Sequence, residues 1–313
     1  MTELQIHNTR IRVGNNVRID IPIARLPSHT MIDLPVFVFR GREDGPNLLL
    51  TGGVHGDEIN GIDIVKRLIM DDSIKVERGT VIAIPVVNVY GFLNNSRTFP
   101  DGRDLNRSFP GAKRGSLAAQ IANIIMTEII PIIDIGVDFH TGGSKLSNIP
   151  QIRVDAKDRQ GMKYAKAMGT PFIINSKMIE KSFRKEAYKQ KKSILVYEAG
   201  ESLRLDEPSI KEGMDGVLNL MRYLKMLSGE HLVKEQKYVI SSSWVRARIS
   251  GVFNASCQDG DYVKKGQVLA RITDPYGTVK VPVKSPRNGY IIGHNNMPVI
   301  NNGDALFHIG VVE

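Results

Sequence analysis

The sequence predicts an α/β domain followed by a small all-β module, and two patterns carry that expectation. From about residue 36 to residue 227, short apolar runs alternate with segments of helical period, as in a mostly parallel sheet with helices on both faces. Beyond Ser228-Gly229-Glu230-His231 the chain turns rich in Val, Gly and turn residues, without helical period. The expected division is 1–230 and 237–313, with the boundary between 229 and 237.

The elements follow in order. Residues 47–51 form an apolar run that reads as a buried strand, and 58–69 read as a helix with apolar positions at 59, 62, 65, 68 and 69. A second strand is expected at 80–88. Residues 94–111 are too polar and too punctuated by Gly and Pro for regular structure, so they read as a long functional loop, and they carry Arg97, Arg103 and Arg107. A helix with a largely apolar face is expected at 116–130, a strand at 135–140, a helix near 158–168 and a short strand at 171–174. A helix across 177–192, a strand at 194–198 and a helix at 207–227 complete the domain. In the tail, Ser250-Gly251-Val252-Phe253 before Val263-x-x-Gly266-x-x-Leu269 is echoed by Asn288-Gly289-Tyr290-Ile291 before Ile300-x-x-Gly303-x-x-Leu306. Two such half-motifs predict a small pseudo-symmetric β-sandwich.

The chemistry concentrates where apolar runs end. His55 and Glu58 stand three positions apart at the carboxyl end of the first strand, where α/β sheets place their sites. Alone, this spacing also suits an ordinary loop and first-turn pair. A second strand delivers His140 to the same kind of edge. Two His and one carboxylate, with a fourth position open, are the ligand set of a catalytic rather than a structural zinc. Such a zinc acidifies water and polarises a carbonyl, so a base and an oxyanion partner are needed nearby. Glu198, ending a third buried strand, is the candidate base, with Glu201 its competitor. A helix cap or an ion pair with an Arg is the bland role for Glu198. The Arg loop reads as an anion clamp, because a guanidinium grips a carboxylate with two hydrogen bonds. Asp138, two residues before His140 on the same strand face, either supports the site or is merely structural. His231, His294 and His308 are expected to be structural or exposed, and Trp244 alone forms no aromatic cage.

His55-x-x-Glu58, Asp104-Leu105-Asn106-Arg107, Asp138-Phe139-His140 and Glu198, in that order, resemble the succinylglutamate desuccinylase/aspartoacylase family, which is related to the zinc carboxypeptidases. The resemblance covers residues 12–228, and the tail more weakly. It implies a zinc-carboxypeptidase-like mixed sheet with flanking helices. It also implies zinc on His55, Glu58 and His140, and a substrate carboxylate held by Asn106 and Arg107. Arg97 would polarise the scissile carbonyl, with Arg103 as its rival, and Glu198 would act as base and then proton donor. The activity implied is zinc-dependent deacylation of an N-acyl amino acid or a similar carboxylate-bearing substrate. The wording of His55-Gly56-Asp57-Glu58-Ile59-Asn60-Gly61 and Tyr197-Glu198-Ala199-Gly200-Glu201 resembles bacterial members, some thought to trim acidic tails of a modified ribosomal protein. A carboxypeptidase acting on acidic peptide tails is therefore the alternative enzyme, and a zinc-binding scaffold with idle catalytic groups the non-enzymatic one. The tail resembles a lipoyl- or biotinyl-type barrel-sandwich module. Its hairpin at 273–278 has no lysine at the tip to carry a cofactor, so a stabilising or gating role is expected.

Charge and composition narrow the partners. The formal net charge is +9, and the densest basic stretch runs from Lys177 to Lys192. It contains only Phe183 and Tyr188 as interleaved aromatics and no nucleic-acid-binding motif, which argues against a nucleic-acid partner. A positive field near a cleft instead favours encounter with a small acidic substrate or an acidic peptide tail. No apolar run reaches the about 18 residues of a membrane helix. The opening Met1-Thr2-Glu3-Leu4-Gln5-Ile6-His7-Asn8 lacks a basic-then-apolar signal pattern, and a single cysteine, Cys257, fits a reducing cytosol.

Overall fold

The computed structural model describes residues 3–26, 28–70 and 74–313; Met1 and Thr2, part of the opening segment read for a signal, lie outside them. Its main sheet has 12 strands. In chain order these are β1 (Asn16–Arg25), β2 (Met31–Arg40), β3 (Glu43–Thr51), β4 (Arg78–Ile84), β5 (Ile135–Gly142), β6 (Leu146–Val154), β7 (Phe172–Asn175), β8 (Ser193–Glu201), β9 (Lys237–Arg246), β10 (Tyr262–Val263), β11 (Gly289–Asn295) and β12 (Ala305–Val312). Across the sheet they lie in the order β10-β11-β12-β9-β7-β6-β8-β5-β3-β4-β2-β1.

The sheet is mixed, as the family resemblance implies, and not mostly parallel as the alternation alone suggests. Strands β4, β3, β5 and β8 run parallel to their neighbours in that set, whereas β2 and β1 continue antiparallel at one side and β6 enters antiparallel to β8 at the other. Apolar period tells which face a side chain takes but not the direction of the neighbouring strand. Alternation within β3 shows the faces: Leu49 joins a core with Val36, Ile82 and Ile121, while Leu48 and Leu50 join the opposite core with Val65, Val137 and Leu220. Both faces are thus covered, which is why these strands read as continuous apolar runs.

The flanking helices are α1 (Ile59–Met70), α2 (Leu117–Ile124), α3 (Arg159–Met168), α4 (Phe183–Lys189) and α5 (Glu207–Tyr223). Three are shorter than their sequence period suggests, and α5 stops at Tyr223, with Leu224 as its cap, four residues before the expected end at 227. After Ile124 the backbone continues as a π-helical turn, Ile125–Ile129, and a 3₁₀ turn, Ile130–Ile132; Pro131 has no N–H to extend an α-helix. In the basic stretch, Lys181 takes positive φ and Ser182 then caps α4 by accepting from the Lys185 N–H.

The tail builds its own apolar cluster around Phe253, Leu269, Ile291 and Phe307. It also adds a four-stranded antiparallel sheet of Lys280–Lys284, Val268–Thr273, Gly251–Ala255 and Val299–Ile300. The internal echo has a physical counterpart. A Cβ on Gly251 would meet the Thr273 carbonyl at 2.3 Å, and one on Gly289 would meet the Gly310 carbonyl at 2.3 Å. The tail also extends the main sheet, since β9 pairs in parallel with β7 and β11 pairs antiparallel with β6. No helix among the described residues is long and apolar enough to cross a membrane.

Helix α1 lies very close to β5. A Cβ on Gly61 would meet Phe139 Cβ at 2.6 Å and the Phe139 carbonyl oxygen at 2.8 Å. Gly61→Val is therefore expected to destabilise the fold by about 2 kcal/mol or more through overpacking, measured by chemical denaturation. Wild-type stability in that variant would mean that the helix can move off the strand.

Candidate metal centre and active site

The carboxyl ends of β3, β5 and β8 assemble the site. The turn after β3 carries His55, the first turn region of α1 begins after Glu58, and His140 sits on β5. All three side chains are buried. His55 Nδ1 is 2.8 Å from Glu58 Oε1, His140 Nδ1 is 2.8 Å from Glu58 Oε2, and the two Nδ1 atoms are 3.2 Å apart. One ligand atom from each residue lies within 4.8 Å of the others.

Each imidazole is fixed from behind by a carboxylate. His140 Nε2 donates to Asp138 Oδ2 at 2.7 Å, and Asp138 Oδ1 accepts from the Thr51 hydroxyl at 2.7 Å. His55 Nε2 donates to Asp104 Oδ1 at 3.3 Å. With both Nε2 protons so directed, both Nδ1 lone pairs face the Glu58 carboxylate. Three acceptors converging in a buried site repel one another, and a divalent cation bound among them removes that repulsion. The donor set, two imidazoles and a carboxylate with carboxylate-backed rings, fits a metal such as zinc.

The electrostatics point the same way. Burial opposes charge on both imidazoles, but Glu58 and Asp104 outweigh it at His55, and Asp138 and Glu58 outweigh it at His140, so both basicities are raised. Burial likewise opposes ionisation of Glu58, yet without a metal His55 and His140, once protonated, hold its carboxyl below the usual range. Positive charge between these groups is what the pocket stabilises.

The Arg loop is ordered by Asp104. Its Oδ1 also accepts from the Asn106 N–H at 2.8 Å, capping the short turn Leu105–Arg107, and its Oδ2 accepts from Arg97 Nη2 at 2.9 Å. Arg97 Nη1 thereby comes within 3.3 Å of Glu58 Oε1. Arg103 instead pairs with Asp101 and does not line the cavity. The cavity, about 300 Å³, is lined by the metal-binding candidates together with Arg97, Asn106, Arg107 and Glu198. Asn106 Oδ1 accepts from the Phe183 N–H at 2.9 Å, which leaves its amide NH₂ free to donate. Glu201 lies outside the lining and accepts from Asn296 Nδ2.

Several lining residues escaped the sequence reading. Asn148 and Arg153 stand on β6, a strand absent from the sequence-predicted elements, and both touch Glu198. Trp244 of β9 forms another wall and stacks on His308, with ring centroids 4.6 Å apart and planes 10° from parallel. Arg184, counted in the basic stretch, is buried and donates to the carbonyls of Arg153, Ser176 and Lys177.

Residues 44–224, more than half of the chain, match the succinylglutamate desuccinylase/aspartoacylase catalytic domain. The chain belongs to that family. It is a hydrolase that deacylates amide bonds, with the buried His-Glu-His triad typical of these zinc-binding enzymes. Over 294 residues this family member is 31% identical to the N-alpha-acetyl-L-2,4-diaminobutyric acid deacetylase of Halomonas elongata, a match spanning 89% of this chain and 86% of the relative. It superposes on a succinylglutamate desuccinylase/aspartoacylase from Rhodobacter sphaeroides with a TM-score of 0.85 and 25% identity, covering 96% of each chain. It also superposes on the product-bound ectoine utilization protein EutE from Ruegeria pomeroyi with a TM-score of 0.83 and 26% identity, again covering 96% of each.

The carboxylate behind His140 offers a direct check. Asp138→Asn keeps shape but loses the charged acceptor, so affinity for the divalent metal is expected to fall about 10- to 100-fold in a chelator competition. Unchanged affinity would remove Asp138 from the site.

Proposed function

We propose that this family member is a zinc-dependent deacylase that removes a short acyl group from a small amino acid whose free carboxylate is anchored by Asn106 and Arg107. The observation that carries this reading is one small cavity onto which the His-Glu-His triad, Arg97, Asn106, Arg107 and Glu198 all open. Its volume suits an acylated amino acid, and the Halomonas elongata relative is a deacetylase of such a molecule.

His55, Glu58 and His140 would hold the zinc. Bound there, it supplies Lewis acidity toward a carbonyl and toward water. The chain's own groups divide the remaining work. Asn106 presents its amide NH₂ and Arg107 its guanidinium to the substrate carboxylate, which sets the orientation of the amide bond. Arg97, braced by Asp104, stabilises the negative charge that develops on the carbonyl oxygen. Glu198 accepts a proton from the attacking water and returns it to the leaving amine. Residues 1–230 and 237–313 act in this reading as a catalytic unit and an added module, supported by the module's separate apolar cluster, and Trp244 is the module's contribution to the cavity wall. A cytosolic setting is supported by the single cysteine, Cys257.

Variants at the two central groups test the reading. Glu198→Gln should retain its full zinc content while kcat on an N-acetyl amino acid falls by about 10²-fold or more. Unchanged turnover would move the base elsewhere. Arg97→Met should cost about 10²- to 10³-fold in kcat, as for the loss of an oxyanion partner, whereas Arg103→Met should leave kcat as it was. The reverse pattern would exchange the two arginines. The carboxylate anchor is tested with substrate pairs, because an N-acetyl amino acid amide should be turned over poorly beside the free acid. Equal rates on the two would end the case for Asn106 and Arg107.

A further inference from the structure

The two oxygens of Glu198 are in different surroundings. Asn148 Nδ2 donates to Oε2 at 2.6 Å, and Arg153 Nη2 forms an ion pair with the same Oε2 at 2.9 Å. Among the described residues, no hydrogen bond is directed at Oε1. Both groups come from β6, which runs antiparallel beside β8: Arg153 is level with Val196, Gln151 with Glu198, and Asn148 with Gly200 across a local irregularity. Glu198 is therefore bracketed from both sides by one neighbouring strand.

We propose that Asn148, mounted by the C-terminal strands, positions Glu198 for proton transfer by holding Oε2 and leaving Oε1 as the proton-accepting atom. This rests on the reading of Glu198 as the base. A carboxylate gripped through one oxygen loses rotation about its terminal bond, and its free oxygen keeps one direction into the cavity. Arg153 shares the grip. Asn148, however, is the buried member, and its own position is set from the tail.

The mount is visible in the packing. Gly293 of β11 is paired with Asn148, and a Cβ there would meet Asn148 Oδ1 at 2.5 Å and the Ser147 carbonyl oxygen at 2.7 Å. A bare Cα thus lies against the amide, while the opposite end of that amide reaches Glu198. Residues on the N-terminal side of Asn148 are tied to the same segment. Ser147 Oγ donates to Asp259 Oδ2 at 2.6 Å, and the Asn296 N–H donates to the Lys145 carbonyl at 2.8 Å. The strand that carries Asn148 is thereby held at its start by contacts from the tail.

The test uses the full-length, zinc-loaded protein and an N-acetyl amino acid. Asn148→Asp preserves size but cannot donate, and Asn148→Ala removes the group; both are expected to lower kcat about 10- to 100-fold, with KM and zinc content unchanged. Gly293→Ala should move kcat in the same direction by displacing the amide. The decisive comparison is the double variant Glu198→Gln/Asn148→Ala. A residue acting only through Glu198 adds no loss once that carboxylate is gone, so the double variant should match Glu198→Gln alone. Wild-type kcat in both Asn148 variants, or a full further loss in the double variant, would overturn the positioning role while leaving the base in place. Full activity of Glu198→Gln would instead overturn the base, and the positioning role with it.

Discussion

Ile135 is the alignment point on which the site depends. It pairs with Leu48 on one side and with Ser193 on the other, so β3, β5 and β8 run in parallel from a common level. Thr51 then stands beside Asp138, and Glu198 beside His140. His55 and Glu58 follow immediately after β3. Groups far apart in sequence meet because three strands share one register and end at one edge. A slip of one residue in either ladder would turn His140 or Glu198 to the opposite face, where Phe139 and Tyr197 pack edge to face with ring centroids 5.6 Å apart. The apolar cores thus fix the chemistry, since burying Phe139 and Tyr197 on one face commits their neighbours to the other.

That register places acidic groups and imidazoles close together away from bulk water. An arrangement of this kind persists only when each member has a partner, because a buried charge left alone costs roughly 3 to 5 kcal/mol. The partners form a chain: Thr51 to Asp138, Asp138 to His140, His140 to Glu58, Glu58 to His55, His55 to Asp104, and Asp104 to Arg97. Asp104 is central to the loop as well as to the metal-binding set. Its carboxyl is held below the usual range because His55 and Arg97 outweigh the burial that would raise it. One ionised side chain therefore orients an imidazole, a guanidinium and the turn that presents Asn106 and Arg107.

The juxtaposition of this half of the candidate site was legible in the sequence because parallel strands buried on both faces are unbroken apolar runs, and the polar residues that interrupt them at the carboxyl end stand out. His55, Glu58, His140 and Glu198 all occur at such interruptions. Which of Arg97 and Arg103 reaches the cavity was not legible, since that follows from the cross-loop bond from Arg97 to Asp104 and not from spacing. Strand β6 was hidden by its composition. Leu146-Ser147-Asn148-Ile149-Pro150-Gln151 reads as a polar turn with a Pro, and its partly exposed positions blur the alternation. Asn148 and Arg153 went unseen with it. The antiparallel strands β1 and β2 and the wall formed by Trp244 were missed for a related reason: their roles come from which strand they lie beside, and no local pattern encodes that.

The placement of β6 also explains why the tail belongs to the catalytic geometry. On one side β6 is fully engaged with β8. On the other, the short β7 pairs only with residues 151–154, which leaves the stretch before Pro150 as a bare edge. Unpaired edges invite other strands and hold side chains loosely. Strand β11 pairs with Leu146, Ser147 and Asn148 and closes that gap. Because Asn148 points from the closed edge to Glu198, capping the edge and steadying the carboxylate are a single structural event. A tail that did only the first would need backbone pairing alone; the close approach of Gly293 to the Asn148 amide is what the second requires.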